Sequence, residues 1–178
     1  MRIVIANLLA AALICQLALA DGGPHLCKFE GLHLCCKGCE KAVRDVLKEV
    51  KGVTAVTCDR PARTVTFKAA DDMAADNAVS ALTDAGFHFK VTIGKKEIEI
   101  SGNPAGIKAD KVVIRNVHAC CDDCEKAIRA VFKGAQVTFA GKGPQKDVTI
   151  AGKALDGDAL LHQLQGAGLH GVIAENKK

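Results

Sequence analysis

The sequence predicts an α+β protein built from two tandem modules, each running strand, helix, strand, strand, helix, strand. Three observations carry this prediction. His33-Leu-Cys-Cys-Lys-Gly-Cys39-Glu-Lys-Ala-Val-Arg44 recurs as His118-Ala-Cys-Cys-Asp-Asp-Cys124-Glu-Lys-Ala-Ile-Arg129, 85 residues later. Val65-Thr66-Phe67 then answers to Val148-Thr149-Ile150, and Ala85-Gly86-Phe87-His88 to Ala167-Gly168-Leu169-His170. The offset drifts by only two or three residues, as in a duplicated domain with small loop changes. Finally, the hydrophobic period alternates between that of a strand and that of a helix in the same order in both copies.

In the first copy, residues 25–34 read as a strand ending at a Cys cluster. Ala42, Val43, Val46, Leu47 and Val50 fall at helical spacing, and Gly52 stops that helix. Val53 to Cys58 and Arg63 to Lys68 flank Asp59-Arg60-Pro61, a hairpin signal. Ala78, Val79, Ala81 and Leu82 line a second helix that ends at Gly86, and Phe87 to Ile93 supplies the last strand. The second copy follows with strands at 112–119, 136–139, 146–150 and 169–174 and helices at 125–133 and 158–165. Strict alternation slips by one residue between Phe29 and Leu32, and again between Ile114 and Val117. Gly31 and Asn116 occupy the slips and tolerate positive φ, which predicts a β-bulge in the first strand of each module.

About seventy residues in this order make a ferredoxin-like βαββαβ module, two helices covering one face of a four-stranded antiparallel sheet. The modules are expected at residues 24–93 and 111–176, joined by a linker at 94–110 rich in Gly and Pro. Within the linker, Glu97-Ile-Glu-Ile100 alternates and predicts a short edge strand. The Asp71-Asp72 and Asp156/Asp158 carboxylates read as solvated helix starts favoured by the dipole.

Residues 1–20 read as a cleavable signal peptide. Arg2 gives a positive start, residues 3–19 are almost all apolar, and Ala18-Leu19-Ala20 is a small-residue cleavage pattern. Asn7 and Gln16 interrupt the apolar run, which weighs against a retained membrane helix. Removing 20 of the 178 residues leaves a periplasmic or secreted chain without a membrane segment. That chain is only weakly basic, and with neither Trp nor Tyr it offers no aromatic platform for stacked bases, so nucleic acid is not an expected partner. There is no phosphate-binding Gly loop, nucleophile elbow or paired-His protease motif, so turnover is not expected.

Nine cysteines occur, eight of them beyond the leader. An even count in an exported protein usually means a disulfide framework. Here six of the eight form two tight clusters at strand–helix junctions, where backbone N–H groups and the helix dipole favour thiolates. Soft thiolates select Cu(I) and also take Zn(II) or heavier soft ions. Cys27 and Cys58 read instead as small core residues, placed on non-adjacent strands at opposite ends of the sheet and too far apart to bridge.

At these clusters the sequence resembles the heavy-metal-associated domain family, which includes copper chaperones, metal-ATPase amino-terminal modules and periplasmic mercury-binding proteins. That family carries Met-x-Cys-x-x-Cys after its first strand. Leu34 and Ala119 stand at the Met position, Cys36/Cys39 and Cys121/Cys124 at the ligand positions. The resemblance implies that these four thiolates bind metal and favours copper, while the third Cys and the Asp122-Asp123 pair keep zinc and mercury open; a metal donor or acceptor protein is a candidate partner.

The third thiols, Cys35 and Cys120, depart from the family pattern and read as supporting residues, because consecutive side chains seldom face one ion. Alternation turns His33 and His118 away from the inward Leu32 and Val117, so the expected place of these supporting candidates is the surface. His88 and His170 follow the second helix at the edge of the sheet that carries the Cys loop, either as supporting ligands or as surface residues. Lys37-Gly38 should favour thiolates, whereas Asp122-Asp123 should raise thiol pKa values.

Two other readings stay open. Each Cys-Cys-x-x-Cys could exchange disulfides with partners, as thioredoxin-like proteins do from a strand–helix junction. Against this, Pro61 and Pro144 are expected in hairpins, away from the Cys loops. Alternatively, the clusters could be oxidised to structural disulfides in a non-metal interaction module.

Overall fold

The structure, a computed structural model, describes residues 24–93, 96–99 and 106–174. The leader at 1–20, most of the linker and the last residues of the second module lie outside the described residues. The first module contains β1 (His25–Glu30), α1 (Lys37–Lys48), β2 (Val53–Asp59), β3 (Thr64–Ala69), α2 (Asp72–Asp84) and β4 (Lys90–Ile93). Its sheet order is β2-β3-β1-β4, extended at the edge by β5 (Lys96–Glu99), the short strand expected within the linker. The second module contains β6 (Lys108–His118), α3 (Asp122–Val131), β7 (Gln136–Ala140), β8 (Gln145–Asp156), α4 (Gly157–Gly166) and β9 (Val172–Ile173), in the order β7-β8-β6-β9. All strand pairs are antiparallel, and both modules are ferredoxin-like.

The bulges fall where the alternation slips. Gly31 and Asn116 have φ of 83° and 59°, and the β6–β8 register shifts between Ile114 and Val117. In the first module the N–H groups of Gly31 and Leu32 both donate to the Arg63 carbonyl, at 2.9 and 3.2 Å. A further bulge, unmarked in the sequence pattern, shifts the β2–β3 register between Thr54 and Thr57, with Ala55 at φ 55°. Asp71 and Asp156 cap α2 and α4 by accepting from first-turn N–H groups, which accounts for the carboxylates at those helix starts.

Each module packs its helices on one sheet face. In the first, the Phe29 ring stacks on Phe89 at 4.4 Å and meets Phe67 edge-on at 4.9 Å, with Val43, Leu47 and Leu82 completing the layer. In the second, Ile114, Val148 and Ile150 face Ile128, Leu161 and Leu164. Cys27 is buried and Cys58 half-buried. They lie on strands either side of β3, opposite Phe67 and Val65, so their levels differ by only two residues rather than by the length of the sheet. Two strand spacings of about 4.8 Å still keep them beyond disulfide reach.

The modules dock on each other, and their cores form one continuous buried cluster. The joint is made by the segments that were expected to begin each last strand. Phe87 pairs with Leu169 as an antiparallel bridge, the His170 N–H donates to the Gly86 carbonyl at 2.8 Å, and the His88 and His33 N–H groups both donate to the Gly168 carbonyl at 3.1 Å. The last strands are therefore short, four and two residues, because their first residues serve the joint instead. Arg63 spans the same joint, donating from Nε to the Leu32 carbonyl (3.0 Å) and from Nη2 to those of Gly31 (2.6 Å) and Ala167 (2.8 Å).

This close approach demands glycine at two equivalent positions. A Cβ on Gly168 would lie 2.1 Å from the Gly31 carbonyl oxygen, and one on Gly86 2.5 Å from the Asn116 oxygen. Gly31, also at positive φ, has open space around it. Gly168→Ala is therefore expected to lower stability by roughly 3 kcal/mol or more, against about 1 kcal/mol of conformational strain for Gly31→Ala. Urea denaturation of the two variants beside the parent protein checks the contrast.

Candidate metal centre

Each Cys loop is placed by a bulged strand and the helix that follows it. Cys36 and Cys121 are the N-cap residues of α1 and α3, both with extended backbone, and Cys39 and Cys124 sit in the first turns with their side chains buried in the core. The joint turns the two loops to face each other. The six cluster sulfurs consequently lie together rather than at two separate sites.

Within the modules, Cys36 and Cys39 Sγ are 3.7 Å apart, as are Cys121 and Cys124. Across the joint the separations are as short: 3.6 Å for Cys36–Cys121, 3.6 Å for Cys39–Cys124, 3.5 Å for Cys35–Cys124 and 3.9 Å for Cys39–Cys120. Cys35 and Cys120 are also 3.6 and 3.7 Å from the buried cysteine of their own modules. These thiols, expected only to support, join the same cluster, since each reaches across to the partner module's buried sulfur. A disulfide would need about 2.05 Å, so these are contacts between free thiols.

The histidines differ from expectation. His33 and His118 are 7% and 1% exposed rather than on the surface. Alternation correctly turns them away from their own cores, but the space they enter is filled by the other module. The His118 ring stacks on Phe87 at 4.3 Å, and a His33 nitrogen lies within 4.8 Å of the Cys35, Cys39 and Cys124 sulfurs. His88 and His170 join none of the groups of three or more such donors found among the described residues; their backbones serve the joint.

The thiols are not generally acidic, contrary to the helix-dipole expectation. Burial pushes Cys35 and Cys120 well above the ordinary thiol range, and negative charge on Cys124 adds to the effect. Cys124 is raised by its contact with Cys39 and by burial, while His33 pulls in the opposite direction. Cys39 is raised as well: its contact with Cys124 favours the thiolate, but burial and the charges of Cys120 and Cys35 outweigh it. Only Cys36 falls below the ordinary range. Burial pushes it up, but the Cys39 N–H, the Cys121 and Cys39 thiols and the Gly38 N–H together prevail. Cys121 ends raised despite the favourable Cys124 N–H, through burial and its contact with Cys36. The two loops thus differ in the direction expected, though neighbouring thiols rather than Lys37 or Asp122 and Asp123 are the cause.

A cleft of about 550 Å³ opens beside the cluster, with Gly38, Ala42, Val46, His118, Cys120 and Pro144 in its walls. Pro144 lies nearer the chemistry than its hairpin position implied, because its carbonyl accepts from the Ala119 N–H at 2.7 Å. Among residues that the sequence pattern did not single out, Arg63 is the main one. Its only sequence sign was a basic residue at a hairpin exit.

Residues 32–88 match the family model described as heavy-metal-associated domain. The first module is a heavy-metal-associated domain. The matched span lies within that module and contains His33, Cys35, Cys36 and Cys39. No curated protein sequence gives a significant match. Among solved structures, that of a proposed glycine cleavage system transcriptional repressor covers 85% of this chain and 96% of its own at 10% identity, with a TM-score of 0.27, a likeness too slight to bear on function. The domain and its clustered cysteines point to binding of a heavy-metal ion.

Two outcomes are expected of the metal-free reduced protein. Brief iodoacetamide treatment at neutral pH should label Cys36 first among the cluster thiols and the buried Cys39 and Cys124 last, as read by peptide mass spectrometry. Burial and the neighbouring His33 hold His118 at a pKa of about 4, below its ordinary 6.5. Between those values the unfolded chain binds the extra proton, so stability is full above pH 6.5 and falls toward pH 4. His118→Gln should remove about 2 kcal/mol of the stability difference between pH 6.5 and 4.5, measured by urea denaturation.

Proposed function

We propose that this protein is an exported soft-metal scavenger or buffer, with Cu(I) the favoured ion, acting by binding without turnover. The observation that carries this reading is the convergence of six free thiols, each within 3.9 Å of another, at a joint lined by neutral histidine and apolar side chains. A wholly sulfur donor set suits Cu(I) over the harder divalent ions, with Zn(II) and Hg(II) as competitors. Export is supported by the leader-like residues 1–20, and places the protein in the periplasm or outside the cell. Retention is favoured over shuttling at Cys39 and Cys124, which are buried, whereas Cys35 is exposed and is the sulfur a donor or acceptor protein would meet first.

Disulfide exchange is the second reading, favoured by the contact distances, since any of these thiol pairs is close to bonding, and by Pro144 beside the second loop. The βαββαβ order of both modules weighs against it. The deciding measurement is elemental analysis with a free-thiol count on the mature protein, isolated without chelator or reductant. Bound copper with reduced thiols is expected, and replacing Cys36, Cys39, Cys121 and Cys124 by Ser should bring it to background. Metal-free protein with its cluster thiols oxidised, and unable to take up Cu(I) after reduction, would overturn the proposal; disulfide reductase activity would then favour the second reading.

A further inference from the structure

We propose that the six cluster thiolates form one polynuclear Cu(I) site shared by the two modules, in which Cys39 and Cys124 bridge metal ions. This rests on the reading of soft-metal capture above and replaces the simpler picture of one ion per Cys-x-x-Cys pair.

The sulfur contacts form a connected network with two hubs. Cys39 Sγ touches the sulfurs of Cys35, Cys36, Cys120 and Cys124; Cys124 Sγ touches those of Cys35, Cys39, Cys120 and Cys121. The 3.6 Å edge between the hubs is common to two triangles, completed by Cys35 and by Cys120, and to a four-membered ring closed by Cys36 and Cys121. Triangles suit three-coordinate ions. With a metal–sulfur bond of about 2.3 Å, sulfurs sharing a trigonal ion stand about 4.0 Å apart and those sharing a tetrahedral ion about 3.8 Å. A linear two-sulfur ion needs about 4.6 Å, longer than any of the contacts within or between the pairs.

Charge leads to the same arrangement. Two ions, one on each Cys-x-x-Cys pair, would leave four thiolates in mutual contact with only two positive charges. Cys35 and Cys120 would stay idle against the hubs. Bridging eases the first difficulty and removes the second: with about four Cu(I) the six thiolates bring roughly one and a half negative charges per ion instead of two, and all six sulfurs are ligands. Six thiolates, each shared by two ions, complete the coordination of about four three-coordinate Cu(I). The doubled cysteine thereby gains a specific role. Cys35 reaches the other module's hub at 3.5 Å and Cys120 at 3.9 Å, and each completes a triangle on the edge at which the two pairs already meet. His33 stands at one triangle, beside Cys35, Cys39 and Cys124.

The test is anaerobic titration of the reduced mature protein with Cu(I) delivered from a weak chelator, read by native mass spectrometry and by X-ray absorption at the copper edge. The parent protein is expected to saturate above two Cu(I) per chain, near four, with a short Cu···Cu scattering shell. The double variant Cys35→Ser, Cys120→Ser keeps both Cys-x-x-Cys pairs and their contact but removes both triangles, and should bind about half as much copper with a weaker Cu···Cu shell. Circular dichroism checks its fold, and the parent's absorption spectrum stands independently of the variant. Saturation at two ions, or any stoichiometry without a Cu···Cu shell, overturns the shared site while leaving metal capture in place. Failure to bind Cu(I) at all overturns both.

Discussion

Six thiols held in van der Waals contact cannot all ionise, and the rest of the molecule is arranged around that constraint. Each thiolate formed raises the cost of the next, and burial adds to it, so five of the six are pushed above the ordinary thiol range. The relaxed metal-free state is therefore a network of S–H···S contacts with its readiest charge on Cys36. Only cations placed among the sulfurs can release the whole set of thiolates. The cluster is thus matched to thiophilic ions by its own electrostatics, before any ligand geometry is considered.

Keeping the sulfurs together is the task of the joint. Two glycine loops lie backbone against backbone, Phe87 and Leu169 pair across the joint, and Arg63 ties three carbonyls from both modules. None of these contacts is large. Their effect comes from continuity with the two cores, which merge through the same segments. The buried histidines bear a cost in return: the Nε2 atoms of His33 and His118 have no hydrogen-bond partner among the described residues. Buried polar atoms left in this way destabilise a fold by about 1–3 kcal/mol each. An apolar pair would pack more cheaply, so imidazoles at these positions make sense beside the thiols rather than as packing.

The fold of each module was legible because it is written in local pattern: period, caps, hairpin signals, and a one-residue slip at Gly31 and Asn116 that marks the bulge. The duplication was legible for the same reason. What the pattern could not express is how one copy sits on the other. Alternation says that His33 faces away from its own core, which is true, yet it cannot say that a second module occupies that side. Ala-Gly-Phe-His and Ala-Gly-Leu-His stood out as repeated loops near the metal residues, but their glycines are needed by the opposite module. Within one loop the third cysteine is redundant; the contact that distinguishes it, to the other module's buried sulfur, lies across the joint.

Thiol acidity shows how magnitudes decide between two sound arguments. A helix N-terminus stabilises a negative charge by about 0.3–1 kcal/mol, less than one pKa unit, whereas burial can shift a group by several units. Both effects act on these cysteines; burial leads at Cys35 and Cys120, and burial together with contacts and charges of neighbouring sulfurs raises Cys39, Cys121 and Cys124. Cys36 escapes because N–H groups and two neighbouring thiols stabilise its charge together. The same reasoning links chemistry to architecture. Docking brings the sulfurs of both loops into one shared set of donors.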